Sequence, residues 1–186
     1  PTRQLPVWFV SHWWGEPVEH FYHCLKQHAR DRNLRRDAPY WVCAYANNQW
    51  DVESELGLDP EQSSFRKAMR AAKGTVSIVD KKAVCFQRLW CCYEVYISIK
   101  QEGYEYDIYT SLSEGGACAV GITTSGPAEV DLHENPLYPD DAKHAREASF
   151  PMSLMNKTLD IRLQEGQTHR EEDRRRILNT IVRRKG

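Results

Sequence analysis

Residues 75–99 read TVSIVDKKAVCFQRLWCCYEVYISI and join a short β-rich run to a long apolar stretch. The run 75–79 predicts a buried strand, which leads into the charged residues 80–82. The stretch after them predicts a strongly apolar helix from about Gln87 to Gln101. A buried strand that leads into a buried helix is typical of α/β proteins with parallel strands.

The same alternation occurs twice earlier in the chain. Residues 7–10 (VWFV) predict a first strand, which is followed by the loop 11–15 and by a helix that ends near Arg32. Residues 40–46 predict a second strand, and a helix near 65–72 follows it. Strands and helices at this spacing predict parallel βαβ units with right-handed crossovers. We therefore predict a flavodoxin-like three-layer α/β sandwich with a mainly parallel sheet of order 2-1-3-4-5.

The second half of the chain is less regular. Residues 105–109 and 117–122 predict two further strands. Residues 125–150 contain three prolines and many charges, which is typical of a long loop or insertion. Residues 168–181 predict a closing helix with one apolar face. Because no internal repeat is visible, residues 1–186 are expected to form a single domain.

Composition excludes several classes of partner. The 186 residues are 41% apolar and 27% charged and carry a net charge of −1, so no long-range field favours a nucleic acid or an anionic membrane. The basic run 174–176 follows the acidic run 171–173 and predicts a helix surface of mixed charge. No apolar run approaches the roughly 20 residues that a membrane-spanning helix needs.

The six cysteines include no C-x-x-C pair, so neither a zinc site nor a thioredoxin-type redox site is indicated. Most of them lie in apolar patterns, where a reduced cysteine behaves as a small hydrophobic residue. His20, His23 and Cys24 lack a second pair of ligands, so we expect no metal site. Reduced cysteines favour a cytoplasmic location.

The predicted strand order places three loops around one crevice. In the order 2-1-3-4-5 the first and third strands are neighbours, and their connections leave toward opposite faces of the sheet. Ligands of such sheets bind at this point, beyond the carboxyl ends of the strands. The loops 11–15, 47–50 and 80–88 are therefore expected to surround a ligand site.

Glu94 is the only charged residue among residues 89–99. An ionised carboxylate on a mostly buried helix is costly unless it is paired or faces solvent or a cavity. Gln87, Ser98 and Gln101 fall on the same face, so one interpretation is that Glu94 marks the solvated side of the helix. The indole of Trp90, one helical turn before Glu94, lies on the same face. A carboxylate beside an indole also suits the binding of a ribose or of a positively charged ring. The sequence leaves both interpretations open.

Several residues of the first half resemble the Toll/interleukin receptor (TIR) domain superfamily. The shared features are Ser11 after the first strand, an alanine-rich helix before the third strand, and Trp90-Cys91-x-x-Glu94 after it. The last of these is similar to the tryptophan-cysteine-glutamate motif of TIR domains that cleave NAD⁺. The resemblance covers roughly residues 7–100 and implies that Glu94 is the catalytic residue.

That resemblance implies an NAD⁺ glycohydrolase, which cleaves the nicotinamide–ribose bond to give nicotinamide and ADP-ribose or a cyclic form. Cleavage passes through an oxocarbenium-like state, and nicotinamide departs neutral, so no general acid is required. One carboxylate, Glu94, can hold the ribose hydroxyls and stabilise the developing positive charge. NAD⁺ is then the substrate, no cofactor is expected, and a homo-oligomer is expected on activation.

Ten further residues are expected to contact the substrate. The rings of Trp13, Trp14 and Trp50 offer stacking surfaces for nicotinamide or adenine, and Arg88 is placed to meet the diphosphate. The set is Ser11, His12, Trp13, Trp14, Asn48, Trp50, Asp80, Arg88, Trp90 and Cys91. Structural roles remain as alternatives: the loop tryptophans as lids on the core, Arg88 as an ion-pair partner of Asp80, and the loop asparagines as turn residues.

Two other functions fit the same sequence. The first is a non-catalytic TIR-like module that assembles with its own kind or with a partner, since a glutamate at position 94 does not exclude an adaptor. The second is a nucleoside- or nucleotide-processing enzyme of related fold, such as a deoxyribosyltransferase, which also uses a glutamate at the ribose.

Overall fold

The computed structural model describes residues 4–51, 57, 59–113, 118–159, 165–168 and 170–183. Within these ranges the strands are β1 Trp8–Ser11, β2 Tyr40–Val42, β3 Gly74–Ile78, β4 Glu105–Ser111 and β5 Ala119–Thr123. They form one sheet in the order β2-β1-β3-β4-β5. The first four strands pair in parallel, and β5 is antiparallel to β4. The predicted order and the mainly parallel arrangement are confirmed.

Helices cover both faces of this sheet. In the described ranges they are α1 Val18–Asp31, α2 Cys43–Ala46, α3 Ser64–Ala71, α4 Leu89–Lys100, α5 Glu129–Glu134, α6 Pro139–Glu147, α7 Met152–Leu159 and α8 Glu171–Arg183. Side chains alternate along β1, so Trp8 and Val10 pack with Cys24 of α1, whereas Phe9 packs with Leu89 of α4. This flavodoxin-like α/β architecture is the predicted fold class.

The second strand is shorter than predicted. β2 ends at Val42, and residues 43–46 form the short helix α2 instead of continuing the strand. β2 lies at the edge of the sheet and pairs only with Trp8–Val10 of β1. The backbone of residues 43–46 forms local helical hydrogen bonds instead of extending the ladder with β1.

The prediction of a long loop at residues 125–150 is wrong, because α5 and α6 lie within that range. The guanidinium of Arg146 in α6 donates to both carboxylate oxygens of Asp131 in α5, at 2.8 and 2.7 Å. Pro139 occupies the first turn of α6, a position at which proline is tolerated. Asp131 and Arg146 thus belong to an ion pair between two helices, and Pro139 belongs to a helix start. Residue 117, the predicted start of the last strand, lies outside the described residues.

A buried ion pair joins α1 to β4. The guanidinium of Arg32 donates two hydrogen bonds of 2.7 Å to the carboxylate of Asp107, and His28 Nε2 lies 3.1 Å from the same group. Burial alone would raise the pKa of Asp107, but the hydrogen bonds from His28 and Arg32 outweigh it and hold the pKa below its ordinary value. Asp107 therefore stays ionised inside the protein and depends on Arg32 for compensation.

Replacing Arg32 with alanine is expected to lower the free energy of unfolding at pH 7 by on the order of 3 kcal/mol, because a buried carboxylate would lose its main counter-charge. Urea unfolding followed by circular dichroism measures the loss. Arg35→Ala is the matched control, since Arg35 pairs with Asp37 at the surface, where ion pairs contribute little. Equal losses in the two variants would contradict a special role for the buried pair.

Candidate functional site

Ser11 and Glu94 meet at the carboxyl end of the sheet, although 83 positions separate them in the chain. Ser11 is the last residue of β1, and Glu94 lies in the middle of α4, the helix that follows β3. Because β1 and β3 are neighbours, α4 passes the end of β1. The Ser11 hydroxyl donates to Glu94 Oε2 at 2.5 Å, and both side chains are buried.

The Glu94 carboxyl borders a cavity of about 240 Å³, which we call the Glu94 cavity. Much of its wall is apolar or aromatic. Its lining residues are Val10, His12, Trp14, Cys43, Phe65, Arg88, Trp90, Cys91, Glu94, Gln167, Thr168, Arg170 and Asp173. A concave apolar site with a few converging polar groups, at the ends of β1 and β3, is the arrangement in which sheets of this order bind ligands.

Burial disfavours a charge on Glu94. The residue is 3% exposed, and burial raises its pKa to about 8, while the hydrogen bond from Ser11 and the charge of Arg88 act in the opposite direction. Ser98, on the same helical face, is buried as well, so the interpretation of this face as the solvated side of the helix is wrong. A carboxyl whose pKa is shifted by burial inside a cavity is a frequent feature of functional sites.

Trp90 forms one wall of the Glu94 cavity. Its ring stacks on Phe65 with centroids 5.6 Å apart and 24° between the ring planes, and its indole N–H donates to Asp173 at 3.4 Å. These contacts fix the indole beside the cavity. The neighbouring Cys91 thiol donates to the carbonyl of His12 at 3.6 Å, which ties α4 to the loop after β1.

Cys91 is a structural thiol. The hydrogen bond with Cys85, and then burial, raise the pKa of Cys91 well above its ordinary value. A thiol reacts as a nucleophile only when it is ionised, so Cys91 contributes packing and a hydrogen bond to the site.

The structure brings most of the predicted contact residues to the cavity. His12, Trp14, Arg88, Trp90 and Cys91 line it, and Ser11 contacts the Glu94 carboxyl directly. The ring of Trp13 does not line it. That ring packs against the backbone of Gly15 so closely that any larger residue at position 15 would clash with it.

Asn48, Trp50 and Asp80 do not line the Glu94 cavity. The Asn48 side chain accepts a hydrogen bond from the Trp50 backbone N–H at 3.1 Å, and the Trp50 side chain is 98% exposed. Asp80 accepts a hydrogen bond from the Val84 backbone N–H at 2.7 Å. Short polar side chains form such local bonds readily, which gives Asn48 and Asp80 a role in shaping turns.

The C-terminal part of the wall of the Glu94 cavity was not predicted from the sequence. Residues 167 and 168 reach the site because the Gln167 backbone accepts from Leu89 N–H at 2.9 Å and donates to the Gln87 carbonyl at 2.6 Å. Four residues from this region line the cavity: Gln167, Thr168, Arg170 and Asp173. No local motif marks them. Phe65 and Cys43 were also missed, since apolar residues in predicted helices and strands are normally assigned to the core.

A larger cavity of about 610 Å³ lies beside α4 and β4. Among the described residues its lining includes Tyr96, Tyr104 and Tyr106 but no acidic or basic side chain. The Glu94 cavity is therefore the candidate site on the basis of its chemistry and its position at the strand ends, rather than on the basis of size.

Comparisons with protein-family models, with curated proteins and with solved structures found no match to this chain. Among the described residues, no group of three or more His, Cys, Asp or Glu side chains is arranged to hold a metal ion. In the same part of the chain, none of the helices combines the length and the apolar character that crossing a membrane requires. The function must therefore be argued from the Glu94 cavity.

Proposed function

We propose that this protein is an NAD⁺ glycohydrolase in which Glu94 acts on the ribose that carries nicotinamide. The observation that carries the proposal is the burial of the Glu94 carboxyl against an aromatic cavity at the ends of β1 and β3. A buried acid without a full counter-ion costs stability, so its presence calls for a role in binding or catalysis. The resemblance of Trp90-Cys91-x-x-Glu94 to the motif of TIR domains that cleave NAD⁺ supports the same role.

The charge balance of the reaction suits a single carboxylate. When the C–N bond breaks, nicotinamide takes the electron pair and leaves as a neutral molecule, so the positive charge moves from its ring to the ribose. Ionised Glu94 stabilises this oxocarbenium-like ribose through its charge. Water then adds to the ribose C1′ and loses a proton, which gives ADP-ribose. The cationic substrate also favours the ionised form of Glu94, because opposite charges lower the pKa of an acid.

The size of the cavity fits part of the substrate. At about 240 Å³ it is smaller than the 300–1,000 Å³ that is usual for pockets holding whole drug-sized ligands. We assign it to the nicotinamide–ribose end of NAD⁺, with the rings of Trp90 and Phe65 at its wall. Arg88, which lines the same cavity, is placed to bind the diphosphate, because guanidinium groups pair with phosphate oxygens.

The proposal extends to assembly and location. Trp14 and Trp50 are largely exposed, and exposed aromatic rings suit contact with a second copy of the chain. We therefore propose that the protein acts as a homo-oligomer. All six cysteines are free thiols, which fits a reducing, cytoplasmic location.

The direct test is to incubate the purified protein with NAD⁺ and to follow nicotinamide and ADP-ribose by chromatography. The assay is run from low to high protein concentration, because a homo-oligomeric enzyme gains specific activity as it assembles. Nicotinamide release that rises with assembly is the expected result. Concentration-dependent association without turnover would favour the adaptor function, and consumption of nucleosides in place of NAD⁺ would favour the nucleoside-processing enzyme.

Ser11→Ala is expected to shift the pH profile of kcat/KM toward higher pH. Only ionised Glu94 is active, so kcat/KM of the wild type rises with pH through its pKa of about 8. Ser11 donates to the carboxyl and stabilises its charged form, so removing that bond raises the apparent pKa by about 1. Ser98→Ala is the matched control, because Ser98 donates to the Glu94 backbone carbonyl and leaves the carboxyl alone. An unchanged profile in Ser11→Ala would contradict this role.

A further inference from the structure

A second cavity, of about 220 Å³, lies next to the Glu94 cavity and shares His12 and Trp14 with it. We call it the Glu16 cavity. Its other lining residues include Glu16, Phe21 and Tyr45. It is formed by the loop after β1, the start of α1 and the helix α2. Because two residues belong to both walls, one extended molecule can occupy the two cavities together.

Glu16 lines this cavity and has a carboxylate oxygen without a hydrogen-bond partner among the described residues. Its side chain is 2% exposed, and Oε1 lies 3.6 Å from Nδ1 of His20. Oε2 is buried and has no hydrogen-bond partner among the described residues. Burial, and then the charge of Asp80, raise the pKa of Glu16 to about 7, while His20 acts in the opposite direction. An unpaired buried oxygen of this kind is costly and rare in folded proteins.

His12 presents a second unused atom. Its Nδ1 is buried and has no hydrogen-bond partner among the described residues. Burial lowers the pKa of His12 to about 4, so the ring is neutral at pH 7, and a hydrogen bond to the backbone of Val10 opposes this shift only in part. With the ring proton assigned to Nε2, neutral His12 has Nδ1 left as a hydrogen-bond acceptor.

Two unused acceptors and an aromatic wall define the ligand. A molecule that satisfies both Glu16 and His12 must carry two hydrogen-bond donors, which a ribose supplies with its 2′- and 3′-hydroxyls. Trp14 and Tyr45 are 58% and 77% exposed and offer stacking surfaces for a base beside those hydroxyls. The indole N–H of Trp14 donates to the sulfur of Cys43 at 3.1 Å, which fixes the ring between the two cavities.

We propose that the Glu16 cavity binds a purine nucleoside whose ribose hydroxyls donate hydrogen bonds to Glu16 and His12. The base lies against Trp14 and Tyr45. This inference rests on the proposed function, because in NAD⁺ the nucleoside would be the adenosine half. The dinucleotide then spans both cavities, with nicotinamide riboside at Glu94 and adenosine at Glu16. Glu16 is a substrate-binding residue in this assignment, and it sets the preference for a dinucleotide over a mononucleotide.

The test uses adenosine and 2′,3′-dideoxyadenosine, whose binding to the full chain is measured by calorimetry at pH 8. We expect adenosine to bind about 10-fold more tightly than the dideoxy compound, because the latter leaves two buried acceptors unpaired. In Glu16→Ala this preference is expected to disappear. Glu16→Gln, which keeps the shape of the side chain, is the second variant if the alanine variant folds poorly. Glu19→Ala is the matched control, since Glu19 lies three residues further along the chain, in the first turn of α1, and is exposed.

Equal binding of the two nucleosides to the wild type would overturn the assignment, and so would an unchanged preference in Glu16→Ala. This binding measurement does not depend on whether the protein cleaves NAD⁺. If the wild type releases nicotinamide but shows no Glu16-dependent preference, the second cavity is wrongly assigned and the NAD⁺ glycohydrolase proposal stands. If adenosine binds as expected but no nicotinamide is released, the glycohydrolase proposal fails and a nucleoside site remains.

Discussion

Glu94→Gln is expected to lower the kcat for nicotinamide release about 1000-fold, which corresponds to about 4 kcal/mol of lost transition-state stabilisation. Glutamine keeps the shape of the side chain and can still accept the hydrogen bond from Ser11. It cannot carry the negative charge that opposes the positive charge on the ribose. The loss should therefore fall on kcat more than on KM, because that ribose charge develops fully only in the transition state.

Chromatographic assay of nicotinamide at saturating NAD⁺ measures this effect. Glu102→Gln is the matched control, because Glu102 is exposed just beyond the end of α4 and the same substitution there leaves the site intact. We expect the control to keep the activity of the wild type. Full activity in Glu94→Gln would remove Glu94 from the mechanism. Equal losses of activity in both variants would show that the substitutions disturb the fold of α4, and that the Glu94 carboxylate has no special role.

The same substitution is expected to stabilise the protein at high pH. The pKa of Glu94 is about 8 in the folded protein and 4.5 as its ordinary value. Below pH 4.5 the carboxyl is protonated in both states, so it adds no difference. As the pH rises from about 4.5 to about 8, the unfolded chain loses this proton while the folded protein keeps it, and stability falls. Glutamine avoids this loss, so Glu94→Gln should be more stable than the wild type by about 5 kcal/mol at pH 9.

Urea unfolding at pH 5, 7 and 9 measures this difference. The advantage of Glu94→Gln should be near zero at pH 5 and largest at pH 9. Other groups with raised pKa values, such as Glu16, are present in both proteins and cancel in the comparison. Glu102→Gln again serves as the control and should change stability by less than about 0.5 kcal/mol at every pH. A difference for Glu94→Gln that does not vary with pH would show that the carboxyl titrates normally.

Together, the loss of activity and the gain of stability in Glu94→Gln would show that this position lowers the stability of the protein in return for its function. A residue whose removal abolishes turnover and raises stability is held in place for its chemistry and not for packing. The Arg32–Asp107 pair is the opposite case, because its removal is expected to cost stability. The two carboxylates are both almost fully buried, and the difference lies in their partners. Asp107 has a guanidinium, whereas Glu94 has one serine hydroxyl and a cavity.

Part of the site could be predicted because its chemistry is local. Glu94 stands out as a charge in an apolar helix, and Ser11 lies where a buried strand ends. The loop 47–50 was also predicted to join the site, but Asn48 and Trp50 lie outside the cavity. Their placement depends on how the chain continues after β2, which ends at Val42 and is followed by the helix α2. A short apolar run such as residues 40–46 does not by itself distinguish a strand from a helix.

The alternation of strands and helices and the apolar helix that carries Glu94 could be predicted from the sequence, because each segment must bury its own apolar face. The strand order was predicted as the one common for this alternation, and it places that helix near the end of β1. Two further features are visible only in the folded protein: Gln167, Thr168, Arg170 and Asp173 complete the wall of the Glu94 cavity, and Glu16 and His12 have unpaired buried atoms beside a second cavity. Both depend on contacts between segments far apart in the chain, whose energies arise only when the whole domain packs.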